Sequence, residues 1–290
     1  MGQGFLRVFS IMADSIVSIV LKPTILLPTL LTSFVELLVI LFSSEYIERL
    51  VEDFVLFDNF ANVSLSELPV YLLTNYFLEL TALMLTLVIT FALYLYVLFV
   101  YAIFLEREAI KKSKGFVGSI ANNPLLASKK NTIINDMILE IRAFPQILNL
   151  TFFYFVLYLL FIVFLGVVLF LSLLLPSLTI VFLIMTSLGI IGFAYFSIVF
   201  LKTPIIMATT GEKLRLALST SWAWCSKNFL QTIFFVFVLL FTSYTLNYLF
   251  DSLTALIETE ELAEFIGLIL NSFTFSFLLL SFTKFFHSGS

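Results

Sequence analysis

The chain has 290 residues, 61% of them hydrophobic and 12% charged, with 15 Lys and Arg against 19 Asp and Glu for a formal net charge of −4. Soluble domains carry roughly 25% charged residues, so this composition, with a mean hydropathy of +1.12, excludes a soluble globular protein and predicts an integral membrane protein. One cysteine, Cys225, leaves no intrachain disulfide to form, and the lone histidine, His287, excludes a His-based triad in the spans and an HExxH metal site.

Residues 4–20 place Phe5, Val8, Phe9, Met12, Ile16, Ile19 and Val20 on one helical face, with Arg7, Asp14 and Ser18 off it. That pattern predicts a helix lying in the membrane interface, and the features of a signal peptide are not seen. Pro23 suits a helix start, and residues 25–42 form a first span interrupted by Glu36. Residues 43–69 carry Glu45, Glu48, Glu52, Asp53, Asp58 and Glu67 against Arg49, an acidic and partly helical aqueous loop. Residues 70–105 are apolar for about ten residues more than one span needs, which predicts a second helix that tilts or projects, with Glu79 inside it.

Residues 106–130 form the longest polar connection, with Arg107, Lys111, Lys112, Lys114, Lys129 and Lys130 broken by Gly115, Gly118 and Pro124. Its charge suits anionic headgroups. Residues 132–143 cluster Ile133, Ile134, Met137, Ile138 and Ile141 as another interfacial helix. Two further spans cover 148–175 and 178–201, joined by a tight turn at Pro176 and Ser177; Gly189, Gly192, Ala194 and Ser197 would let helices approach closely.

The stretch 202–250 joins a basic amphipathic helix to an apolar span without a linker. Leu214, Ala217, Leu218, Ser221, Trp222 and Cys225 share a stripe, while Lys213, Arg215, Thr220 and Lys227 fall elsewhere. Thr209 and Glu212 have capping-box spacing, which predicts a helix start there with Gly211 in its first turn. Residues 229–250 contain no charge and make the fifth span; Asp251, Glu258, Glu260, Glu261 and Glu264 make a second acidic loop, and 265–286 the sixth span.

The predicted fold is therefore an all-α membrane protein of about six transmembrane helices in three hairpins, each preceded by an interfacial amphipathic helix, within a single membrane domain over 1–290. Asp14 precedes Pro23, Asp136 precedes Pro145 and Ser219 precedes Asn228 by nine positions each, marking candidate repeats at 4–105, 131–201 and 209–286. The other reading of that spacing is the shared grammar of membrane hairpins. On a six-span reading Arg7, Lys22, Arg107, Lys111, Lys112, Lys114, Lys129, Lys130, Arg142, Lys202, Lys213, Arg215, Lys227 and Lys284 lie on the side of the termini and Arg49 alone on the other. The positive-inside bias then puts both termini in the cytoplasm.

Glu36 and Glu79 are the candidate intramembrane site. Each lies roughly 10–14 Å below the outer surface by helical rise, with no cation in any span to neutralise it, and Asn271, Ser243, Thr242 and Asn75 are candidates for the same polar layer. The functional reading is a cation, proton or headgroup site; the bland one is neutral carboxyls hydrogen-bonded to neighbouring helices. Lys111, Lys112, Lys114, Lys213, Arg215, Lys227 and Trp222 are candidate headgroup contacts, or simple interfacial anchors. The 36 phenylalanines accompany no polar groove, so nucleic acid is not an expected partner. No cofactor motif occurs.

Pro204, Gly211, Ala217, Leu218, Ser221, Trp222, Lys227 and Asn228 form a pattern that resembles the bacterial and archaeal six-span proteins of the UPF0259 family and the membrane domain of glycerophosphoryl diester phosphodiesterases. Those families often have a Glu before the Gly, where Thr209 and Thr210 stand here. The resemblance implies a prokaryotic cell membrane and a membrane module without activity, since the catalytic barrel of such enzymes is a separate soluble domain. The reading that follows is a non-enzymatic membrane module that meets lipid, or recruits a protein partner, through a basic cytoplasmic face. The alternatives are a transporter or channel-like protein with an outer-leaflet polar cavity around Glu36, Glu79 and Asn271, and a lipid-active enzyme whose nucleophile, base or metal set is not assembled by any motif.

Overall fold

A computed structural model describes residues 2–56, 68–112, 133, 137, 143–257 and 259–287. Among these, every regular element is a helix, and six stretches are long and apolar enough to cross a membrane: Pro23–Arg49, Phe77–Ala109, Phe144–Ser172, Thr179–Thr210, Phe229–Thr254 and Glu261–His287. This is the all-α fold of a multi-pass membrane protein. The chain falls into two compact units, Met1–Thr29 with Leu95–Ser290, and Leu30–Tyr94.

In the larger unit, α1 (Gly2–Leu21) packs along α10 (Glu260–His287) and touches α9 (Phe229–Thr254). Its buried stripe is Val8, Ile11, Met12, Ser15 and Ile19, the i, i+3, i+4 spacing of one helical face. The expected apolar face is thus divided. Val8, Met12 and Ile19 turn inward, but Ile11 and Ser15 complete that side, leaving Phe9, Ile16 and Val20 exposed. With apolar residues on both sides, packing against α10 selects the inward set, and periodicity alone does not.

The chain leaves α1 through Lys22 into a short 3-10 turn, Pro23–Leu26, and α2 (Leu27–Leu56). Tyr101, on α4 (Phe77–Lys112), donates its hydroxyl proton to the Ile25 carbonyl at 2.8 Å and lies 3.0 Å from Ser276 Oγ on α10. Ser276 Oγ is also 2.5 Å from Thr29 Oγ1. All three side chains are buried, so this mutually satisfied cluster ties three helices without leaving a polar group stranded. Nearer the C-terminal end of α10, Phe285 stacks on Phe235 of α9 at 3.9 Å and 2°.

Helix α5 (Phe144–Leu174) returns through the turn Pro176–Leu178 into α6 (Thr179–Val199), and the two pack as a hairpin. Gly189 is where small size matters. A Cβ there would meet Phe164 Cε1 at 2.2 Å, whereas Gly192 has nothing within 4 Å.

After α6 the structure departs from the expected pattern. Residues Thr203–Thr210 form a short helix, α7, with Thr203, Pro204, Ile205, Ile206, Met207 and Ala208 all buried. Gly211 ends it with φ 69 and ψ 14, the left-handed conformation that an L side chain resists. The expected capping box does not form. Thr209 donates to Ile205 O and Ile206 O within α7, Glu212 N donates to Thr210 Oγ1, and the next helix, α8 (Leu214–Lys227), begins after Lys213. Spacing suggested the box, but the hydroxyl was already taken by its own helix, and Gly211 is a stop signal for α7, outside the first turn of α8.

Asn228 is the single residue between α8 and α9. Its backbone N–H and side-chain amide both donate to Trp224 O, and its own carbonyl accepts from Thr232 N. One side chain thereby closes one helix while its backbone opens the next.

The smaller unit holds α2 from Leu30, α3 (Leu68–Asn75) and α4 up to Tyr94. The apolar run expected as one helix over 70–105 is broken at Tyr76. Asn75 Nδ2 donates to Tyr71 O, Thr74 Oγ1 donates to Val70 O, and the Tyr76 carbonyl accepts the first α4 bond from Leu80 N. The side chains of Thr74 and Asn75 thus compete for carbonyls one turn back in α3, where the chain stops before α4 begins, and the break divides the excess length. Of the expected interfacial helix at 132–143, only residues 133, 137 and 143 are described; the remainder lies outside the described residues.

Candidate functional site

Glu36 and Glu79 belong to the smaller unit, and each has its own partner. Tyr94 on α4 donates its hydroxyl proton to Glu36 Oε1 at 2.9 Å. Glu79 faces Arg49, Nη1 to Oε1 3.7 Å, with the Arg49 side chain 73% exposed and that of Glu79 7%. The break at Tyr76 places Glu79 in the first turn of α4, well short of the depth expected from a span beginning at residue 70. Helix N-termini favour a carboxylate there. Arg49, expected as the one basic residue on the side opposite the termini and in an acidic loop, comes from the extension of α2, which runs as helix to Leu56.

Along α2, Glu36 and Arg49 are separated by about 20 Å of helical rise, and along α4 Glu79 and Tyr94 by about 22 Å. The two carboxylates are therefore about 20 Å apart along the α2–α4 pair, Glu79 in the first turn of α4 and Glu36 midway along the apolar stretch of α2. They are not brought together. In the larger unit, Asn271 is exposed on α10 and Ser243 is buried on α9, its Oγ without a hydrogen-bond partner among the described residues. Thr242 donates to Val238 O within its own helix.

The basic candidates are divided. Lys213, Arg215 and Lys227 are exposed on α8, and Trp222 is 39% exposed, its indole packed against the rings of Tyr195, Phe196 and Phe200 at 5.7, 5.7 and 5.9 Å. The opposite side of α8 buries Ala217, Ser221 and Cys225. Ser221 Oγ donates to Val199 O, the last carbonyl of α6, at 2.7 Å. Tyr154 likewise donates to Phe200 O at 2.7 Å, a carbonyl that also accepts from Thr203 N, so two side chains add hydrogen bonds where α6 ends. Burial pushes the Cys225 thiol up, which keeps it protonated and makes it a packing group. Lys111 and Lys112 lie in the last turn of α4 with side chains outside the described residues, as does all of Lys114.

A second polar constellation was not singled out in the sequence because its members stand far apart along the chain. A cleft of about 490 Å³ opens between α1, the Lys22 linker, α4 and α10, lined by Ile11, Asp14, Val17, Ser18, Lys22, Ile25, Phe104, Leu105, Glu108, Ala109, Leu280, Lys284 and His287. Lys22 pairs with Glu108 and lies 5.6 Å from the centroid of the Phe104 ring. Lys284 Nζ donates to the Asp14 carbonyl and to Ser18 Oγ, both at 2.8 Å. His287 Nε2 lies 2.5 Å from Glu106 Oε2. These contacts collect the end of α1 and the C-terminal ends of α4 and α10 at one polar rim. A cation in the last turn of α10, facing carbonyls, is well placed for the helix dipole.

Lys202 sits near the same end of α10. It is 5% exposed, and its ammonium stands 4.3 Å from the centroid of the Trp224 ring, which in turn packs on Phe285 and Phe286 at 6.1 and 5.4 Å. A buried stem with a cation over an indole is a stable way to hold charge beside apolar surface.

Among the described residues no group of three or more His, Cys, Asp or Glu could hold a metal ion. Compared with protein-family models, with curated proteins and with solved structures, the chain matches none of them.

Proposed function

We propose that this chain is a non-enzymatic membrane module that engages anionic lipid through the basic face it presents to the cytoplasm. The observation that carries this reading is the two-sidedness of α8: Ala217, Ser221 and Cys225 are buried, while Lys213, Arg215 and Lys227 are exposed. A helix held by small residues on one side and bearing cations beside a half-exposed Trp222 on the other fits the headgroup layer, where a basic residue contributes about 1 kcal/mol toward an anionic surface. In this reading α1 and α8 lie in the interface, each leading into a hairpin of spans, and both termini are cytoplasmic in a prokaryotic cell membrane.

The transporter reading needs Glu36 and Glu79 to line one cavity, whereas each has its own partner, Tyr94 and Arg49, and the two pairs are about 20 Å apart along α2. The proposed lipid role is tested by the lipid that stays with the purified protein. Native mass spectrometry of the wild-type chain should show phosphatidylglycerol retained over phosphatidylcholine, and the triple variant K213Q/R215Q/K227Q should lose most of that preference, by about fivefold or more. Equal retention of the two lipids by wild type and variant would reject it, and co-purification of one stoichiometric protein instead would favour partner recruitment.

A further inference from the structure

The cleft between α1, α4 and α10 differs from the α8 face in sign. Lys22 and Lys284 bring two cations, and Asp14 and Glu108 two carboxylates, around an apolar floor that includes Ile11 and Leu280. The lining carries both signs, so a purely anionic headgroup would gain two lysines and confront two carboxylates. A ligand with a phosphate and a cation of its own meets both signs. Its volume of about 490 Å³ falls in the ~300–1,000 Å³ range of small-molecule sites.

The polar groups are already oriented. Lys284 donates to the Asp14 carbonyl and to Ser18 Oγ, and those contacts fix its position at the cleft. Lys22 is half-exposed and Glu108 less so, 55% against 30%, and they already form an ion pair, the arrangement that an incoming zwitterion can open by exchanging partners. A quaternary ammonium would need an aromatic cage, whereas the cleft offers a single ring, Phe104, which already faces Lys22. Hydrogen-bonding carboxylates instead suit a primary ammonium.

We propose that this cleft binds a phosphoethanolamine group, its phosphate on Lys22 and Lys284 and its primary ammonium on Asp14 and Glu108, with the apolar floor against the glycerol and first methylenes of a lipid. The proposal rests on the lipid-engaging reading above and adds a second, zwitterionic headgroup class at a separate place.

The test is native mass spectrometry of the full chain in detergent, titrated with phosphatidylethanolamine, phosphatidylcholine, phosphatidylglycerol and free phosphoethanolamine. The wild type should retain phosphatidylethanolamine about tenfold over phosphatidylcholine, the difference of one charge-assisted hydrogen bond. E108Q should reduce that preference about fivefold with phosphatidylglycerol retention unchanged, and K22Q should weaken retention of both zwitterionic lipids. Because Lys284 bridges α1 and α10, K284Q is read only in protein whose thermal unfolding matches the wild type, and E108Q carries the test alone if it does not. Equal retention of phosphatidylethanolamine and phosphatidylcholine by the wild type, an E108Q variant with full preference, or a K213Q variant that loses as much as E108Q would each overturn the proposal. Displacement of the lipid by an equal concentration of free phosphoethanolamine would overturn the lipid as its source. If phosphatidylglycerol is retained and lost in the α8 triple variant while phosphatidylethanolamine shows no preference, the cleft proposal alone fails; if no lipid class is retained, both fail.

Discussion

The helices that precede the first and fifth spans, α1 and α8, can be set side by side. Helix α1 turns Val8, Ile11, Met12, Ser15 and Ile19 inward and still shows Leu6, Phe9, Val17 and Val20 outward. Helix α8 turns only Ala217, Ser221 and Cys225 inward and shows Lys213, Arg215 and Lys227 outward. The inner face of α1 carries mostly large apolar side chains, and its polar tie comes from Lys284 of another helix, which reaches the Asp14 carbonyl and Ser18 Oγ. Small side chains let α8 come close enough for a serine hydroxyl to reach a carbonyl of another helix. The same periodicity therefore supports two kinds of contact, and side-chain volume on the inner face decides which.

Substitutions break or sharpen this contrast. The largest effect is expected for S221L, because Ser221 is fully buried and its Oγ contacts the Val199 carbonyl at 2.7 Å; forcing a leucine there should cost about 3 kcal/mol in unfolding from mixed micelles. G211A comes next, at about 1–2 kcal/mol, since a side chain must take the left-handed conformation that closes α7.

The finer comparison uses two buried serines. Ser15 Oγ bonds Ile11 O in its own helix, while Ser221 Oγ bonds a carbonyl at the end of another. S221A should cost about 1 kcal/mol and S15A about 0.5 kcal/mol or less, because the Ile11 carbonyl keeps its helical partner. Equal losses would show that α1 and α8 do not differ in the way described. The smallest effect is expected for R49Q in the other unit. Its guanidinium is mostly in solvent, 73% exposed and 3.7 Å from Glu79, so unfolding should shift by a few tenths of a kcal/mol, at most about 1.

Much of the fold was legible because a span leaves a strong record, some twenty apolar residues without charge, and the six helical stretches fall close to the six apolar runs. Local stops were harder to read. Spacing places Gly211 in the first turn of a helix, whereas it ends one, and the break at Tyr76 follows only the short polar pair Thr74 and Asn75 inside an otherwise apolar run. Both depend on which carbonyl a nearby Thr or Asn side chain reaches, a three-dimensional choice that spacing leaves open.

The residues of the family-like stretch acquire physical roles of their own: Pro204 in the first turn of α7, Gly211 at its end, Ala217 and Ser221 at the close contact, and Asn228 between α8 and α9. Glu36 and Glu79 were legible as charges in apolar sequence, but their partners were not. The cleft was invisible because Asp14, Glu108 and Lys284 come from three distant parts of the chain.

The account depends on the lysine-bearing ends lying at one surface of the membrane. Single cysteines introduced as K213C and E261C, read with a membrane-impermeant thiol reagent, test this directly. The wild-type chain is the blank, because its one cysteine, Cys225, is buried. K213C is expected to label only in inverted membrane vesicles and E261C only in intact cells; labelling of K213C from outside intact cells, or of both positions from one side, would contradict it.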